Sequence, residues 1–281
     1  MTDDLFPGFA SHWIDGEAGR VFARSGGSGP PLVLLHGFAM HGGLFTPIVP
    51  ALARRHRVHV VDLPGHGFSS DVQATSLASV ADAVVSSLDL REPATLLGWS
   101  FGGLVAQHIA HARPDAVAAL LLACTSPRFV ASPDWPHAMS VDTLARFGDE
   151  LRVSYRLTLQ RFLTLQVQGS DAGRATLASL RQALFARSAP SRATLSTALE
   201  ILIDADLRSA APVIAVPTLV IAGARDALTP AAAGAWLAGA IPGARFAQID
   251  GAAHAPFLSH PDAFLAAVGA FLDEHADLSR A

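Results

Sequence analysis

The stretch ATLLGWSFGGLVAQHIA, residues 94–110, joins a run of mostly apolar residues to a segment with apolar residues at helical spacing. Between the two parts, Gly98-Trp99-Ser100-Phe101-Gly102 matches the pattern G-x-S-x-G. This pattern is typical of a sharp strand-to-helix turn that holds a nucleophilic serine clear of the backbone. A glycine-rich turn with an incidental serine is the simpler alternative. Because a strand pattern precedes the motif and a helix pattern follows it, we predict that Ser100 is a catalytic nucleophile.

Short apolar runs that alternate with helical segments predict an α/β fold with a mostly parallel central sheet. The predicted strands are Leu32–Leu35, Val58–Val61, Ala94–Leu97, Val117–Ala123, Thr218–Ala222 and Arg245–Ile249. The predicted helices are Leu44–Arg54, Leu77–Leu88, Leu104–His111, Ala231–Leu237 and Asp262–Leu272. Strands that are apolar along most of their length are typical of sheets covered by helices on both faces. The glycine-rich tract Ser25–Pro31 predicts a turn between two early strands.

The alternation breaks once, between about Pro127 and Pro212, where no strand pattern occurs. Apolar residues that recur every three or four positions predict one face of a helix there: Leu144, Phe147, Leu151, Tyr155, Leu159, Phe162 and Leu165. Further helical patterns cover Leu177–Phe185 and Leu195–Leu202. We therefore predict a helical lid, residues 127–212, inserted between two parts of one α/β core, residues 1–126 and 213–281.

A nucleophilic serine needs a base, and in this arrangement the partners follow in the order Ser, Asp or Glu, His. Asp226 directly follows one predicted strand, and His254 lies in the small-residue loop after the next. We predict that His254 is the base and that Asp226 orients it. The rival carboxylates are Asp204, Asp206 and Asp250, which follow helical pattern or the wrong strand.

The tetrahedral intermediate of acyl transfer needs two backbone N–H donors for its oxyanion. The N–H of Phe101, directly after the nucleophile, is the first candidate, and that of Phe38, after His36-Gly37, is the second. Two further motif residues, Asp62 and His66, are interpreted as fixing a Pro-Gly turn. We predict no metal site, because no third ligand accompanies His36 and His41.

The composition excludes several classes of protein. A net charge of −4 argues against a general nucleic-acid binder, and no uncharged apolar run is long enough to predict a membrane span. The N-terminus carries two aspartates and no basic segment, so we expect no secretory leader and a cytoplasmic protein. Cys124 is the single cysteine, and its apolar neighbours favour a small core residue over a reactive thiol.

These residues resemble the α/β-hydrolase superfamily over nearly the whole chain from about Val21. Five stretches further resemble one family within it, the pimeloyl-acyl-carrier-protein methyl ester esterases of biotin synthesis. They are GWSFGGLVA (98–106), SPDWP (132–136), RFLTLQVQGS (161–170), LEILIDADLR (199–208) and AAHAPFLSHP (252–261). The match in the lid is the most informative, because lids diverge quickly between hydrolase families.

The resemblance implies the α/β-hydrolase fold with a lid, and hydrolysis of a methyl ester at the far end of a pimeloyl chain on acyl carrier protein. It implies no cofactor. From the charge and the hydropathy we expect no nucleic-acid partner and no membrane partner, and we expect a monomer. The residues that it places against substrate are Phe38, Ser100, Phe101, Phe162, Leu163, Thr164, Leu165, Gln166 and His254. It also suggests that Arg161 and Arg174, two of eight arginines between residues 146 and 192, dock the acidic carrier.

Two alternatives remain open at this point. A general short-chain carboxylesterase or a carbon–carbon bond hydrolase has the same three catalytic residues, because substrate choice depends on the lid. A ligand-binding receptor on the same fold is a more remote alternative, and it predicts tight binding with negligible turnover.

Overall fold

The computed structural model describes residues 6–16, 19–88, 92–187 and 189–275, and within this range it contains one eight-stranded sheet. The strands in chain order are β1 (Ala10–Gly16), β2 (Gly19–Gly26), β3 (Pro31–Leu35), β4 (Arg57–Val61), β5 (Ala94–Trp99), β6 (Val117–Ala123), β7 (Thr218–Gly223) and β8 (Arg245–Ile249). Their order across the sheet is β1-β2-β4-β3-β5-β6-β7-β8. All six predicted strands are present within two residues of their predicted ends.

The sheet is antiparallel only at its first edge, where β1 pairs with β2 and β2 with β4. Every other pairing is parallel. Successive side chains of a strand point to opposite faces. Because every residue of β3, β5 and β7 is buried, both faces of the central sheet are covered. The prediction of a mostly parallel α/β sheet is confirmed.

The helices of the core begin after strand ends, as the alternation predicts. They are α1 (Val49–Leu52), α2 (Leu77–Ser86), α3 (Phe101–Ala112), α8 (Ala231–Ala240), α9 (Pro256–Ser259) and α10 (Pro261–Glu274). The predicted helix Leu44–Arg54 is wrong: a 3₁₀ turn covers Gly42–Phe45 and only the four residues of α1 are helical. Pro47 explains the break, because proline lacks the N–H that a continuous helix requires.

The segment between β6 and β7 contains four helices, α4 (Val141–Val153), α5 (Tyr155–Gln166), α6 (Gly173–Ala186) and α7 (Arg192–Asp204). The apolar face predicted as one helix from Leu144 to Leu165 is divided between α4 and α5. Ser154 separates them with φ −128° and ψ 51°, outside the helical region. Its carbonyl accepts a hydrogen bond from the Thr158 hydroxyl, 3.0 Å away, which stabilises the start of α5.

Strand β1 was not predicted, and its burial explains why. It lies at the edge of the sheet and carries polar and exposed residues, including Trp13 with half of its surface exposed. An edge strand with little buried apolar surface leaves a weak pattern in the sequence. Among the described residues, no helix has both the length and the apolar character needed to cross a membrane.

Candidate active site

Ser100 occupies a strained turn between β5 and α3. Its backbone has φ 55° and ψ −116°, a conformation that non-glycine residues rarely adopt. A Cβ atom at Gly98 would collide with the backbone of Gly102, and one at Gly102 would collide with the carbonyl of Leu35. Both glycines of the motif are therefore required for steric reasons. The hydroxyl of Thr125 donates to the carbonyl oxygen of Ser100 at 2.7 Å and holds the turn in place.

The side chains of Ser100, His254 and Asp226 form one hydrogen-bonded row. The Nε2 atom of His254 lies 2.9 Å from the Ser100 hydroxyl, and its Nδ1 atom lies 2.8 Å from the Asp226 carboxylate. Because the carboxylate can only accept, Nδ1 carries the proton and Nε2 is free to accept from the serine. The three residues are 6%, 2% and 6% exposed, so the row lies almost entirely out of solvent.

The Asp226 carboxylate is held in its ionised form. Burial by itself raises the pKa of this carboxyl group, but the charge and the hydrogen bond of His254 oppose it. The backbone N–H groups of Leu228 and Thr229 donate to one carboxylate oxygen, and the Thr229 hydroxyl donates to the other at 2.7 Å. The net result is a pKa below the ordinary value, so Asp226 is an anion when it orients the imidazole.

The rival carboxylates lie elsewhere. Asp204 and Asp250 are exposed, and Asp206 forms ion pairs with Arg128 and Arg208 on the surface of the lid. The arginine hydrogen bonds lower the pKa of Asp206. None of the three takes part in the hydrogen bonds of His254 that the structure describes.

The loop that follows β3 lies against the serine. A Cβ atom at Gly37 would lie 3.2 Å from the Cβ atom of Ser100. His36 fixes this loop, since its Nδ1–H donates to the Gly37 carbonyl at 2.9 Å and its Nε2 accepts from the N–H of Leu63 at 2.9 Å. Burial lowers the pKa of His36 well below its ordinary value, so the ring stays neutral and keeps both contacts. The loop therefore presents Phe38 beside Ser100 in a fixed conformation.

An apolar cavity of about 60 Å³ opens directly onto the hydroxyl and imidazole groups of Ser100 and His254. Phe38 from the core meets Phe147 of α4 and Phe162 of α5 here, with ring centroids 5.5 to 6.0 Å apart. Aliphatic side chains from core and lid complete the wall: Leu144, Leu165, Leu199, Leu202 and Leu228. The site therefore combines a polar hydrogen-bonded row with an apolar cavity shared by core and lid.

The lid residues predicted to contact substrate are not equally placed. Phe162 and Leu165 line the cavity. The Leu163 side chain is fully buried in the core, and Thr164 is exposed with its hydroxyl bonded to the carbonyl of Gln160. Gln166 is buried, and its carbonyl oxygen accepts from the N–H of His254. Phe101 lines a second cavity and is not among the residues that line the cavity at Ser100.

Cys124 is buried directly after β6, as predicted for a core residue. Its sulfur lies within 4.8 Å of ligand atoms of both Asp226 and His254. Burial, and then the charge of Asp226, raise the pKa of the thiol well above its ordinary value. A protonated thiol is a poor nucleophile and a poor metal ligand, so this residue contributes packing.

Three residues that hydrogen-bond to Asp226, Ser100 or His254 were not predicted from the sequence. Thr229 bonds Asp226, Thr125 bonds the serine carbonyl, and the indole N–H of Trp99 donates to the His254 carbonyl at 2.6 Å. The spacing Asp226-x-x-Thr229 is the only local signal, because an aspartate side chain commonly accepts from residues two and three positions later. Thr125 and Trp99 form contacts that no local pattern indicates.

The two predicted docking arginines lie on exposed parts of the lid. Arg161 of α5 forms an ion pair with Glu150 of α4 at 3.2 Å while most of its side chain remains exposed. Arg174 is exposed near the start of α6. A third lid arginine, Arg187, is instead buried against Asp62 of the core.

The model of the α/β-hydrolase fold family matches residues 30–261 of the chain. A pimeloyl-acyl-carrier-protein methyl ester esterase of Chromobacterium violaceum is 43% identical over 92% of this chain and 100% of its own length. The protein of that name from Xanthomonas campestris pv. campestris is 46% identical over 88% of this chain and 96% of its own. Among solved structures, a hydrolase from Pseudomonas aeruginosa superposes with a TM-score of 0.76 at 28% identity, covering 93% of this chain and 98% of that one.

Proposed function

We propose that this chain, which belongs to the α/β-hydrolase family and within it to the pimeloyl-acyl-carrier-protein methyl ester esterases, hydrolyses the methyl ester of pimeloyl-acyl carrier protein. The products are methanol and pimeloyl-acyl carrier protein, an intermediate of biotin synthesis. The single observation that carries the chemistry is the row from Ser100 through His254 to Asp226, with contacts of 2.9 and 2.8 Å. The chain is a carboxylic ester hydrolase, and the proposal concerns its substrate and the role of each residue.

In the first half-reaction, His254 Nε2 takes the proton of the Ser100 hydroxyl as its oxygen attacks the ester carbon. The resulting oxyanion accepts from the backbone N–H groups of Phe38 and Phe101. His254 then gives the proton to the methoxy oxygen, the carbon–oxygen bond breaks and methanol leaves. Asp226 stabilises the transient imidazolium without taking its proton. The ionised state of Asp226 suits this role, because its pKa lies below the ordinary value.

In the second half-reaction, a water molecule attacks the acyl-serine ester. His254 takes a proton from the water, and the second oxyanion uses the same two N–H donors. When the intermediate collapses, the proton passes to the Ser100 oxygen and the free carboxylic acid departs. The net reaction consumes one water for each ester and needs no cofactor.

The apolar cavity suits the acyl part of this substrate. The methylene groups of a pimeloyl chain gain free energy when Phe38, Phe147 and Phe162 remove them from water, at about 0.8 kcal/mol per buried CH₂ group. Among the residues that the structure describes, no charged side chain lines this cavity, which favours the neutral methyl ester over the free acid. The enzyme thus binds the ester better than the carboxylate that it produces.

The lid charge supports docking of a carrier protein. Residues 146–192 contain eight arginines and three acids, within a chain of net charge −4. Acyl carrier proteins are strongly acidic, and electrostatic attraction between oppositely charged surfaces speeds their association at low salt. We place Arg161 and Arg174 in this docking surface. We expect the enzyme to act as a monomer in the cytoplasm, where carrier and enzyme meet.

The test compares three substrates with the purified enzyme: the carrier-bound methyl ester, free pimelate monomethyl ester and p-nitrophenyl butyrate. We expect the highest kcat/KM for the carrier-bound ester, and rescue of a biotin-requiring strain that lacks this esterase. The Ser100→Ala variant is the matched control in each experiment. Efficient hydrolysis of p-nitrophenyl butyrate without rescue or carrier-ester hydrolysis would identify a general carboxylesterase instead.

A further inference from the structure

We propose that the hydroxyl group of Thr143, on the lid helix α4, donates a hydrogen bond to the thioester carbonyl at the far end of the substrate's acyl chain. Thr143 thereby favours methyl esters whose chain ends in a second carbonyl group over simple methyl esters. This role rests on the ester hydrolysis proposed above and extends it to the choice between acyl chains.

The acyl cavity, which is the apolar cavity that opens onto Ser100 and His254, has one polar side chain besides these two. In the described part of the chain, every other side chain of its lining is apolar, and the exception is Thr143. A polar group that leaves water without gaining a hydrogen bond costs free energy. A second polar group of the substrate is therefore best placed beside Thr143.

Thr143 lies at the outer end of the acyl cavity. Ser100 and His254, at the reacting end, are only 6% and 2% exposed. Thr143 is exposed, and Leu165 of the lid helix α5, which lines the same cavity, is 42% exposed. We call Thr143 and Leu165 the cavity mouth. From the reacting groups to this mouth the lining changes from polar to apolar and back to polar, and the substrate has the same order of methyl ester, methylene groups and thioester.

The hydroxyl of Thr143 is paired with that of Ser140 in a way that leaves one proton available. The two hydroxyl oxygens lie 2.8 Å apart, and either group can be the donor. Each hydroxyl carries one proton and can also accept, so a single proton fills this contact. When Ser140 donates, the proton of Thr143 is free for an acceptor at the cavity mouth. A carbonyl oxygen can only accept, and it therefore suits this donor.

The positive charge of the lid flanks the cavity mouth. Arg161, which we place in the carrier-docking surface, precedes Leu165 by four residues on α5, and Arg146 follows Thr143 by three residues on α4. Residues at these spacings are neighbours on one side of a helix. Both arginines are exposed. A carrier protein attracted to them brings its thioester to the mouth, where Thr143 lies.

Thr143 also belongs to the N-terminal cap of α4, and the start of α7 supplies a control for that role. The Ser140 hydroxyl oxygen accepts from the backbone N–H of Thr143 at 3.2 Å. At α7, the Ser191 hydroxyl oxygen accepts from the N–H of Thr194 at 3.0 Å, and the two hydroxyl oxygens lie 2.9 Å apart. Thr194 does not line the acyl cavity. Thr194→Val thus removes an equivalent capping hydroxyl and leaves the mouth unchanged.

The experiment measures methanol release from two methyl esters with the same seven-carbon acyl chain. The S-ethyl thioester of monomethyl pimelate has a thioester carbonyl at its far end, whereas methyl heptanoate ends in a methyl group. Both are free small molecules, so carrier docking does not affect the comparison. Values of kcat/KM are measured for both esters on the same sample of each variant, so that any loss of folded protein cancels in their ratio.

We expect Thr143→Val to lower kcat/KM for the thioester-ended ester by about fivefold, the factor that one neutral hydrogen bond contributes, mainly through a higher KM. Its kcat/KM for methyl heptanoate stays within about twofold of the parent. Thr143→Ser retains the hydroxyl and keeps the parent's ratio between the two esters. The control Thr194→Val keeps this ratio as well.

A parent enzyme without preference for the thioester-ended ester, or an unchanged preference in Thr143→Val, would overturn the inference. An equal loss of preference in Thr143→Ser would assign the effect to the methyl group of threonine, and an equal loss in Thr194→Val would assign it to helix capping. Failure of the proposed substrate gives a different result: a parent enzyme that hydrolyses p-nitrophenyl butyrate and both small methyl esters but not the carrier-bound ester.

Discussion

The backbone N–H of His254 donates a hydrogen bond to the carbonyl oxygen of Gln166, 3.0 Å away. Gln166 is the last residue of α5, so the loop that carries the base is bonded to the end of a lid helix. On its other side, the carbonyl of His254 accepts from the indole of Trp99, in the strand that precedes the nucleophile. The position of His254 therefore depends on both the lid helix α5 and the end of strand β5.

The first prediction concerns the nucleophile. We expect Ser100→Ala to reduce ester turnover by about a millionfold, as for other enzymes whose serine, histidine and aspartate act together. The melting temperature stays close to that of the parent, because only one hydroxyl is removed. The measurement is kcat for p-nitrophenyl butyrate with a thermal melt of the same sample. Retention of more than a few per cent of activity would contradict the assignment.

Cys124→Ala is the control for an alternative nucleophile beside the site. Because burial raises the pKa of this thiol well above its ordinary value, the residue is unreactive, and we expect turnover within about threefold of the parent. Loss of activity in Cys124→Ala, with Ser100→Ala still active, would transfer the nucleophilic role to the thiol.

The second prediction concerns the partners of the serine. We expect Asp226→Asn to lower kcat by about 10⁴, since the amide no longer holds the imidazole in the required tautomer. Adding His254→Ala to Ser100→Ala has little further effect, because the residues act as a unit. Asp250→Asn serves as the matched control at an exposed carboxylate. An inactive Asp250→Asn variant together with a fully active Asp226→Asn variant would show that Asp250, and not Asp226, orients His254.

The third prediction is a pH profile. The base acts only as neutral imidazole, so kcat/KM falls as the pH falls. Asp226 has a pKa below its ordinary value, so it remains ionised while the imidazole gains its proton. The acid limb of log(kcat/KM) therefore has unit slope, the signature of one ionising group. A slope of two would indicate that a second group must be deprotonated.

The fourth prediction concerns carrier docking. We expect Arg161→Glu with Arg174→Glu to reduce kcat/KM for the carrier-bound ester by about tenfold or more. We expect turnover of p-nitrophenyl butyrate to change little. Added salt screens the same charges, so it lowers kcat/KM of the parent enzyme for the carrier-bound ester in the same way. Arg113→Glu is the control. This exposed arginine precedes β6 whereas the lid helices follow β6, so Arg113 lies at the opposite end of the parallel strands from the lid. Equal losses on both substrates would assign the two arginines to lid structure alone.

The fifth prediction concerns a buried ion pair between lid and core. The Arg187 guanidinium contacts the Asp62 carboxylate at 2.5 Å, and the two side chains are 3% and 1% exposed. Arg187→Ala leaves a buried carboxylate without its cation, which costs about 3–5 kcal/mol in the free energy of unfolding. Urea denaturation measures this loss. Arg181→Ala, at an exposed position of α6, is the control, and an equal effect of both variants would contradict the pairing.

The row of Ser100, His254 and Asp226 was predictable from sequence because each member lies directly after a strand or in the loop that follows one. Gly98 and Gly102 identify the turn that carries Ser100, and the order of the strands identifies Asp226 and His254. The break at Ser154 was not predictable from periodicity, because the apolar face continues across it from α4 into α5. The same limit applies to Leu163 and Gln166, whose side chains lie away from the acyl cavity although their neighbours line it.

By itself, the sequence determined the alternation of strands and helices, the strained turn at Ser100 and the order of its partners, because these depend on local periodicity and glycine sterics. Only the tertiary structure decided that Arg187 is buried against Asp62, 125 residues away, rather than exposed like the other seven arginines between residues 146 and 192. It also decided that Phe101 and its neighbour Ser100 line different cavities and that the lid helix α5 is bonded to the backbone of His254. Contacts between distant segments depend on how the elements pack, and no pattern within a single segment records that packing.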